Sequence, residues 1–361
     1  MTCYNPIRAC YSKSDYAKTG KKSIHLVLHE NFDDNGNVIK DSKYLVNEKD
    51  FPHALYEYIN LPCRQCAGCR SDNAKMWSLR AFNELTCHDK NCFITLTYDN
   101  ASSVVANDPM CIASLRYKHF QNFMKRLRKR FPDSNIGYLV CGEYGIQDGR
   151  AHWHAILFGF DFPDKKLVYV KRGFNHYDSE ILRQCWSIYD RVNDSYESIG
   201  FIDLCNVDYE CCAYVAGYVL KKLDVGNVGG VVSHYYDLAA NQIEEIRLAI
   251  EGRCPPLIRS SKRPAIGLNW YNKYGKNACE KGFSTVKKGD KIMKIRTPAY
   301  YYSKFEQQYP DLYQNVKESR EQKMKKYYKL HPLDLAKLKV WEQGHLYRIK
   351  NRLKKVLTNF K

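Results

Sequence analysis

Apolar and polar residues alternate with a period of two along several short stretches of this chain. In residues 92–98 the apolar side chains alternate with hydroxyl side chains, which predicts a half-buried strand. The other stretches that predict strands are 136–141, 151–160, 167–171 and 201–207. Glycines at positions 145 and 149 favour a chain reversal between the second and third of these strands.

Helical periodicity separates and follows these strands. It predicts helices at 73–85, 115–130, 209–223, 235–250 and 317–361, the last being basic and interrupted at Pro332. Hairpin-like strands with interspersed helices predict an α+β fold, with an antiparallel sheet of about five strands, flanking helices and a helical C-terminal extension. We expect an irregular N-terminal segment with a cysteine cluster (1–75), a sheet domain (76–225) and a basic, mostly helical region (226–361).

Charge narrows the class of partner. The 361 residues include 57 Lys and Arg but 39 Asp and Glu, a formal net charge of +18, which favours a polyanion such as nucleic acid. The 29 tyrosines could stack on unpaired bases. No run of eighteen apolar residues and no apolar export signal occur, so we expect no membrane partner and a location in the cytoplasm.

A pair of histidines on the third predicted strand is the first candidate for chemistry. His152 and His154 would share one face of the strand, where two imidazoles can hold a divalent ion. Glu143 ends the preceding strand, and a hairpin could bring its carboxylate to the same face. An oxygen ligand favours Mg²⁺ or Mn²⁺. The alternative is a pair of histidines at the surface or the edge of the core.

A pair of tyrosines is the second candidate. In the run YVAGYVLKK, Tyr214 and Tyr218 would share one helix face, with Lys221 and Lys222 about one turn further on. Such pairs most often serve packing. A phenol whose pKa is near 10 needs deprotonation or a neighbouring cation to act as a nucleophile, and the lysines could supply that charge.

Two further groups of residues leave their roles open. Three thiols in the run PCRQCAGCR, those of Cys63, Cys66 and Cys69, are close enough to wrap a structural zinc ion, with Cys3 or Cys10 as a fourth ligand. Reduced thiols in a tight turn are the alternative. The predicted helix 115–130 carries basic residues that could bind DNA phosphates or form a solvated face, among them Lys125, Arg126, Arg128 and Lys129.

The order of these motifs resembles that of HUH endonucleases. ITLTY at 94–98, the Glu143 strand, HWH at 152–154 and YVAGYVLKK at 214–222 follow one another as the three motifs of that family do. The chain is more similar still to the replication initiators of microviruses of the gokushovirus type. PCRQCAGCR at 62–70 and KRPAIGLNWYNKY at 262–274 belong to the same resemblance.

The resemblance implies an HUH-like sheet and a rolling-circle replication initiator. Tyr214 or Tyr218 would nick single-stranded or supercoiled origin DNA, keep the 5′ end as a phosphotyrosine and later rejoin the strand, with a metal ion on Glu143, His152 and His154. No G-x-x-x-x-G-K-[ST] phosphate loop occurs, so a host helicase and a host polymerase are the expected partners. Two alternatives remain, namely a zinc-stabilised nucleic-acid-binding protein without catalysis and a transposase or relaxase with the same chemistry.

Overall fold

A computed structural model describes residues 3–19, 23–27, 45–46, 51–64, 66–99, 102, 114–145, 149–171, 173–190, 193–221, 252–288, 291–330 and 334–358. The chain divides into two compact units. The larger unit comprises Asn73–Lys222 and Asn241–Leu330, and the smaller unit comprises Met1–Asp72, Leu223–Ala240 and His331–Lys361. The region predicted as 226–361 therefore contributes residues to both units.

The described elements are numbered in chain order. The first are β1 (Ile7–Ser12), α1 (Lys13–Thr19), β2 (His25–Val27), β3 (Leu45–Val46), β4 (Tyr56–Leu61) and α2 (Ala67–Leu85). The next are β5 (Asn91–Thr97), α3 (Tyr117–Arg130), β6 (Gly137–Tyr144), β7 (Ala151–Phe158), β8 (Lys166–Lys171), β9 (Phe174–Asp178), α4 (Glu180–Cys185), β10 (Ser187–Asp190), β11 (Ser195–Ser198), β12 (Ile202–Cys205) and α5 (Tyr209–Lys221). The last are β13 (Leu257–Ser260), α6 (Leu268–Lys281), β14 (Phe283–Lys288), β15 (Lys291–Arg296), α7 (Ala299–Gln308), α8 (Pro310–Leu330) and α9 (Leu335–Thr358).

A seven-stranded sheet organises the larger unit. Its described strands lie in the order β13-β6-β7-β5-β12-β9-β8, and all neighbouring pairs are antiparallel. Both faces are covered by helices. On one face, Leu96 and Trp153 pack with Phe120 of α3, and on the other Ile156 packs with Val215 of α5. Burial of each such large apolar side chain stabilises the fold by about 1.5–3 kcal/mol.

The predicted antiparallel sheet with flanking helices and a helical C-terminal part is confirmed, but the sheet is larger than the expected five strands. The additional strands are β9 and β13. The sequence of β9, FNHYD, carries no apolar alternation, and β13 is only four residues long, so neither strand has a clear period-two signal. The helix predicted at 235–250 lies outside the described residues.

Regular structure also occurs where an irregular N-terminal segment was expected. In the smaller unit, the described strands β1 to β4 form a sheet in the order β3-β2-β1-β4. The runs IRACYS and YEYINL of β1 and β4 mix polar and apolar residues without strict alternation, which hides them from a pattern search. In the C-terminal region, α8 ends at Leu330 and α9 begins at Leu335, on either side of the interruption predicted at Pro332.

None of the described helices combines the length and the apolar character needed to cross a membrane.

Candidate active site

The pairing of β6 with β7 brings the predicted carboxylate to the predicted histidines. Glu143 lies directly opposite His152, and Cys141 lies opposite His154. Residues that face each other in an antiparallel pair point to the same side of the sheet, as do residues two apart on one strand. The Nε2 atoms of both histidines lie 3.0 Å from Oε1 of Glu143. The three residues therefore converge on a single carboxylate oxygen.

The outer nitrogen of each histidine ring also has a partner. Nδ1 of His152 lies 3.1 Å from the carbonyl oxygen of Arg150, and Nδ1 of His154 lies 3.0 Å from the hydroxyl of Thr95. Since a carbonyl can only accept, Nδ1 of His152 carries the proton and Nε2 of the neutral ring keeps its lone pair. These outer contacts orient both rings toward Glu143.

Burial favours neutral rings. His154 and Glu143 have side-chain exposures of 11% and 8%, and that of His152 is 16%. Desolvation lowers the pKa of His154, although hydrogen bonding and charge from Glu143 oppose this effect. Neutral imidazoles offer lone pairs, and facing an ionised carboxylate these lone pairs need a proton or a cation between them.

The donor set fits a divalent ion. The ligand atoms of Glu143, His152 and His154 all lie within 4.8 Å of one another. Two nitrogens and one carboxylate oxygen leave further coordination positions for substrate or water. The site could therefore hold a cation and still accept a ligand of its own.

Tyr214 reaches the same carboxylate from α5. Its hydroxyl donates to Oε1 of Glu143 at 3.0 Å and lies 3.3 Å from Nε2 of His154. Its ring meets the ring of His154 edge-on, with centroids 5.1 Å apart. The ring of Phe93 stacks on that of His154, with centroids 5.8 Å apart. The nucleophile predicted from the sequence thus touches two of the predicted metal ligands.

The other predicted catalytic residues are only partly described. Tyr218 belongs to α5, one helical turn beyond Tyr214, but its side chain lies outside the described residues. The same holds for the side chain of Lys221, and Lys222 lies wholly outside them. The helix is continuous through Gly217, and an added Cβ there would meet no atom within 4 Å.

Three residues near the site had no assigned role in the prediction. Thr95 and Phe93 contact His154, and Gly142 leaves room for the indole of Trp153, which lies between the two histidines in sequence. The alternation in residues 92–98 places 93, 95 and 97 on one face, so pairing that face with the histidine strand could have identified the first two. Only the register identifies Gly142.

The basic residues of α3 lie on the opposite face of the sheet and differ in their contacts. The guanidinium of Arg126 donates to the carbonyls of Cys185, at 2.9 Å, and Ser187, and its burial lowers its pKa. Arg128 donates to the carbonyl of Ile136 at 2.7 Å. Both predicted phosphate contacts therefore belong to side chains that also bond the protein backbone.

Lys125 and Lys129 extend from α3 as exposed side chains. With Tyr189 and Tyr196 of the β10–β11 hairpin they line a surface pocket of ≈ 480 Å³. The two tyrosine rings meet edge-on at 5.4 Å, and both are largely exposed. Cationic and aromatic groups side by side suit a strand of unpaired nucleotides, because one binds phosphate and the other stacks on bases.

The predicted zinc ligands lie together in the smaller unit. Cys63, Cys66 and Cys69 form a group with Cys3, whereas Cys10 is buried on β1 and is not a member of this group.

Comparison with known proteins identifies the class. Residues 91–223, which run from β5 to α5 and contain every residue of the candidate active site, match the family of the replication-associated protein ORF2. The predicted resemblance to phage replication proteins is confirmed by this match and by the relatives given next.

Three curated relatives are replication-associated proteins of phages. VP4 of Bdellovibrio phage phiMH2K is 28% identical over 288 residues, covering 78% of this chain and 76% of the relative. ORF2 of Spiroplasma virus 4 is 28% identical over 305 residues, covering 81% and 80%. ORF4 of Chlamydia phage 1 is 31% identical over 195 residues, covering 52% and 42%. No solved structure matches the chain.

Proposed function

We propose that this protein initiates rolling-circle replication of a phage genome by nicking single-stranded origin DNA through a tyrosine. Similarity to phage replication-associated proteins supports a role in phage genome replication. One observation carries the finer proposal. The hydroxyl of Tyr214 lies 3.0 Å from Oε1 of Glu143 and 3.3 Å from Nε2 of His154, so a nucleophile and a candidate metal site share one centre.

The phenol oxygen of Tyr214 is the attacking atom. It forms a bond to the phosphorus of the scissile phosphodiester, and the bond from phosphorus to the 3′ oxygen breaks. The phenol loses its proton, and the 3′ oxygen leaves as a hydroxyl after taking up a proton. The products are a 5′-phosphotyrosine and a free 3′ end, and the phosphodiester energy is kept for later rejoining.

Glu143, His152 and His154 would hold Mg²⁺ or Mn²⁺. The bound ion would neutralise charge on the scissile phosphate and help to align it for in-line attack. Thr95 and the Arg150 carbonyl fix the two imidazole rings, so their Nε2 atoms stay directed to one point. The sheet thus provides a rigid base for the reacting phosphate.

Tyr218 would supply a second phenol from the same helix. After one round of synthesis the regenerated origin must be cut while the first 5′ end is still attached to the protein. The released 3′ hydroxyl would then attack the first phosphotyrosine and close a circle. Lys221 or Lys222 would stabilise the phenolate by its positive charge.

The proposed partners follow from this cycle. The protein binds origin DNA, and the exposed Lys125 and Lys129 with their neighbouring tyrosines are the proposed contacts for a single strand on the second face of the sheet. A host helicase would open the duplex, and a host polymerase would extend the 3′ end. All of these steps take place in the infected cell, in its cytoplasm.

A covalent-adduct assay tests the proposal. The protein is incubated with single-stranded origin DNA and Mn²⁺, and a labelled species that survives denaturing electrophoresis is measured. The wild type should form the adduct, and Tyr214→Phe with Tyr218→Phe should abolish it. Tyr209→Phe is the matched control, because Tyr209 lies on the same helix but packs against Phe82.

Two outcomes would contradict the proposal. Absence of an adduct with wild type and cognate DNA would remove the catalytic function and leave a nucleic-acid-binding protein. Full activity of a His152→Ala, His154→Ala double variant would remove the metal assignment while leaving the tyrosine chemistry in place.

A further inference from the structure

Four thiols meet in the smaller unit. The Sγ atoms of Cys3, Cys63, Cys66 and Cys69 all lie within 4.8 Å of one another. Sγ of Cys3 lies 3.6 Å from that of Cys63 and 3.9 Å from that of Cys66. These distances are too long for disulfides, whose sulfurs lie about 2.05 Å apart. They bracket the separation of about 3.8 Å between ligands of a tetrahedral zinc ion whose Zn–S bonds measure about 2.3 Å.

Backbone amides point at three of these sulfurs. The N–H of Cys63 donates to Sγ of Cys3 and that of Cys66 donates to Sγ of Cys63, both at 3.3 Å. Sγ of Cys66 accepts from the N–H groups of Tyr4, at 3.3 Å, and Cys69, at 3.4 Å. Amide donors stabilise a sulfur most when it carries negative charge, as a metal-bound thiolate does.

The fourth ligand comes from the N-terminal segment. The sequence alone left Cys3 and Cys10 as equal candidates, because both precede the Cys63 cluster by more than fifty residues. In the fold, Cys10 lies on β1, opposite His25 of β2 and Tyr58 of β4, and is fully buried there. Cys3 alone of the two reaches the other three thiols.

The C-terminal helix α9 packs around this cluster. Leu338 contacts its buried side chains, and Glu342 accepts from the N–H of Ala67 at 3.0 Å, at the start of α2. Nδ1 of His345 lies 2.9 Å from the hydroxyl of Tyr4, and the two rings meet edge-on. The residues that follow Cys3 and those that separate Cys66 from Cys69 are therefore the residues that hold α9.

We propose that Cys3, Cys63, Cys66 and Cys69 bind a structural zinc ion on which the attachment of α9 to the N-terminal segment depends. Four thiolates fill a tetrahedral site and leave no open position, so the ion serves folding rather than catalysis. Without it, four buried thiols and the Tyr4 and Ala67 contacts have little to fix them, because the segments joined are far apart in sequence. This proposal does not depend on DNA nicking.

Metal content provides the first test. The full chain is purified with zinc present and its metals are measured by mass spectrometry. We expect about one zinc per chain in the wild type and in Cys10→Ala, and a loss to near zero in Cys63→Ser. Cys3→Ser should retain zinc at least tenfold more weakly in a chelator competition, since three thiolates remain.

Limited trypsin digestion provides the second test and can be carried out on the wild type. Lys337 and Lys339 lie in α9, so cleavage there reports whether the helix is attached. Treatment of the wild type with a strong chelator should speed this cleavage by about tenfold or more, and added zinc should reverse the effect. As a control, Cys10→Ala should behave as the wild type does.

Three results would overturn the proposal. These are a wild type without stoichiometric zinc or with iron in its place, a Cys10→Ala variant that loses zinc as completely as Cys63→Ser, and a trypsin cleavage rate in α9 that chelation leaves unchanged.

Discussion

Replacement of Thr95 by valine tests whether the sheet orients the candidate metal ligands. The Thr95 hydroxyl lies 3.0 Å from Nδ1 of His154, and Nε2 of that ring faces Glu143. Valine keeps the branched shape that suits a strand but offers Nδ1 no hydrogen-bonding partner. The ring would then be free to rotate or to exchange its proton between the two nitrogens, and both changes weaken Nε2 as a ligand.

The size of the effect can be worked out from burial. His154 is only 9% exposed, so water cannot readily replace the lost hydroxyl. An unsatisfied buried donor costs about 1–3 kcal/mol. Loss of an outer partner of a metal-bound histidine lowers metal affinity by about 10–100-fold, which corresponds to about 1.4–2.7 kcal/mol. Both routes give the same range, and we expect Mn²⁺ to bind Thr95→Val about 10–100-fold more weakly.

Calorimetric titration with Mn²⁺ measures this directly, without DNA. Thr97→Val is the matched control, because Thr97 lies two residues along the same strand and faces His152, whose Nδ1 bonds the Arg150 carbonyl instead. Its affinity should stay within about 0.5 kcal/mol of wild type. In the adduct assay, Thr95→Val should need more Mn²⁺ but approach the wild-type rate at saturation.

Two outcomes would refute the reasoning in different ways. Wild-type affinity in Thr95→Val, with loss of binding in His154→Ala, would show that the hydroxyl does not orient the ring. Wild-type affinity in both variants would show that Mn²⁺ does not bind at His154 at all.

Three further predictions concern stability and DNA binding. Gly217→Ala should stabilise the protein by about 0.5–1 kcal/mol and raise its Tm, because α5 is continuous there and an added Cβ meets nothing within 4 Å; a lower Tm would contradict this. Gly142→Ala should lower the Tm by roughly 2–12 °C, because its Cβ would lie 2.7 Å from Cζ3 of the buried Trp153; an unchanged Tm would show that the ring can move at no cost. Lys125→Ala with Lys129→Ala should reduce the slope of log affinity for single-stranded DNA against log salt by about 1.4, and an unchanged slope would exclude phosphate contacts at both lysines.

Local pattern was sufficient for part of the fold and of the site. The spacing of His152 and His154 on a strand, and the strand that ends at Glu143, predicted which residues share a face, because a strand has a fixed period of two. The helical spacing of the YVAGYVLKK run likewise predicted α5. These features depend on neighbours in sequence, which a pattern can describe.

Contacts between distant segments were not predictable in the same way. The charge of Arg126 was visible, but its hydrogen bonds go to carbonyls 59 and 61 residues away, whose positions depend on α4 and β10. The choice of Cys3 over Cys10 depends on how β1 pairs with β4. Strand β9 is polar and joins the sheet through its neighbours, so no signal of its own marks it.

The candidate site divides its parts between two kinds of element, and this division bears on the proposed cycle. The metal ligands stand on paired strands, whose ladder of backbone hydrogen bonds fixes their spacing. The phenols stand on one helix, where residues four apart are separated by about 6 Å along the axis. Tyr214 already touches Glu143, so for Tyr218 to reach the same phosphate position either the helix or the DNA must move by a comparable distance. A second cut therefore requires motion of the helix against a fixed sheet, or of the DNA across it, and does not require a second set of metal ligands.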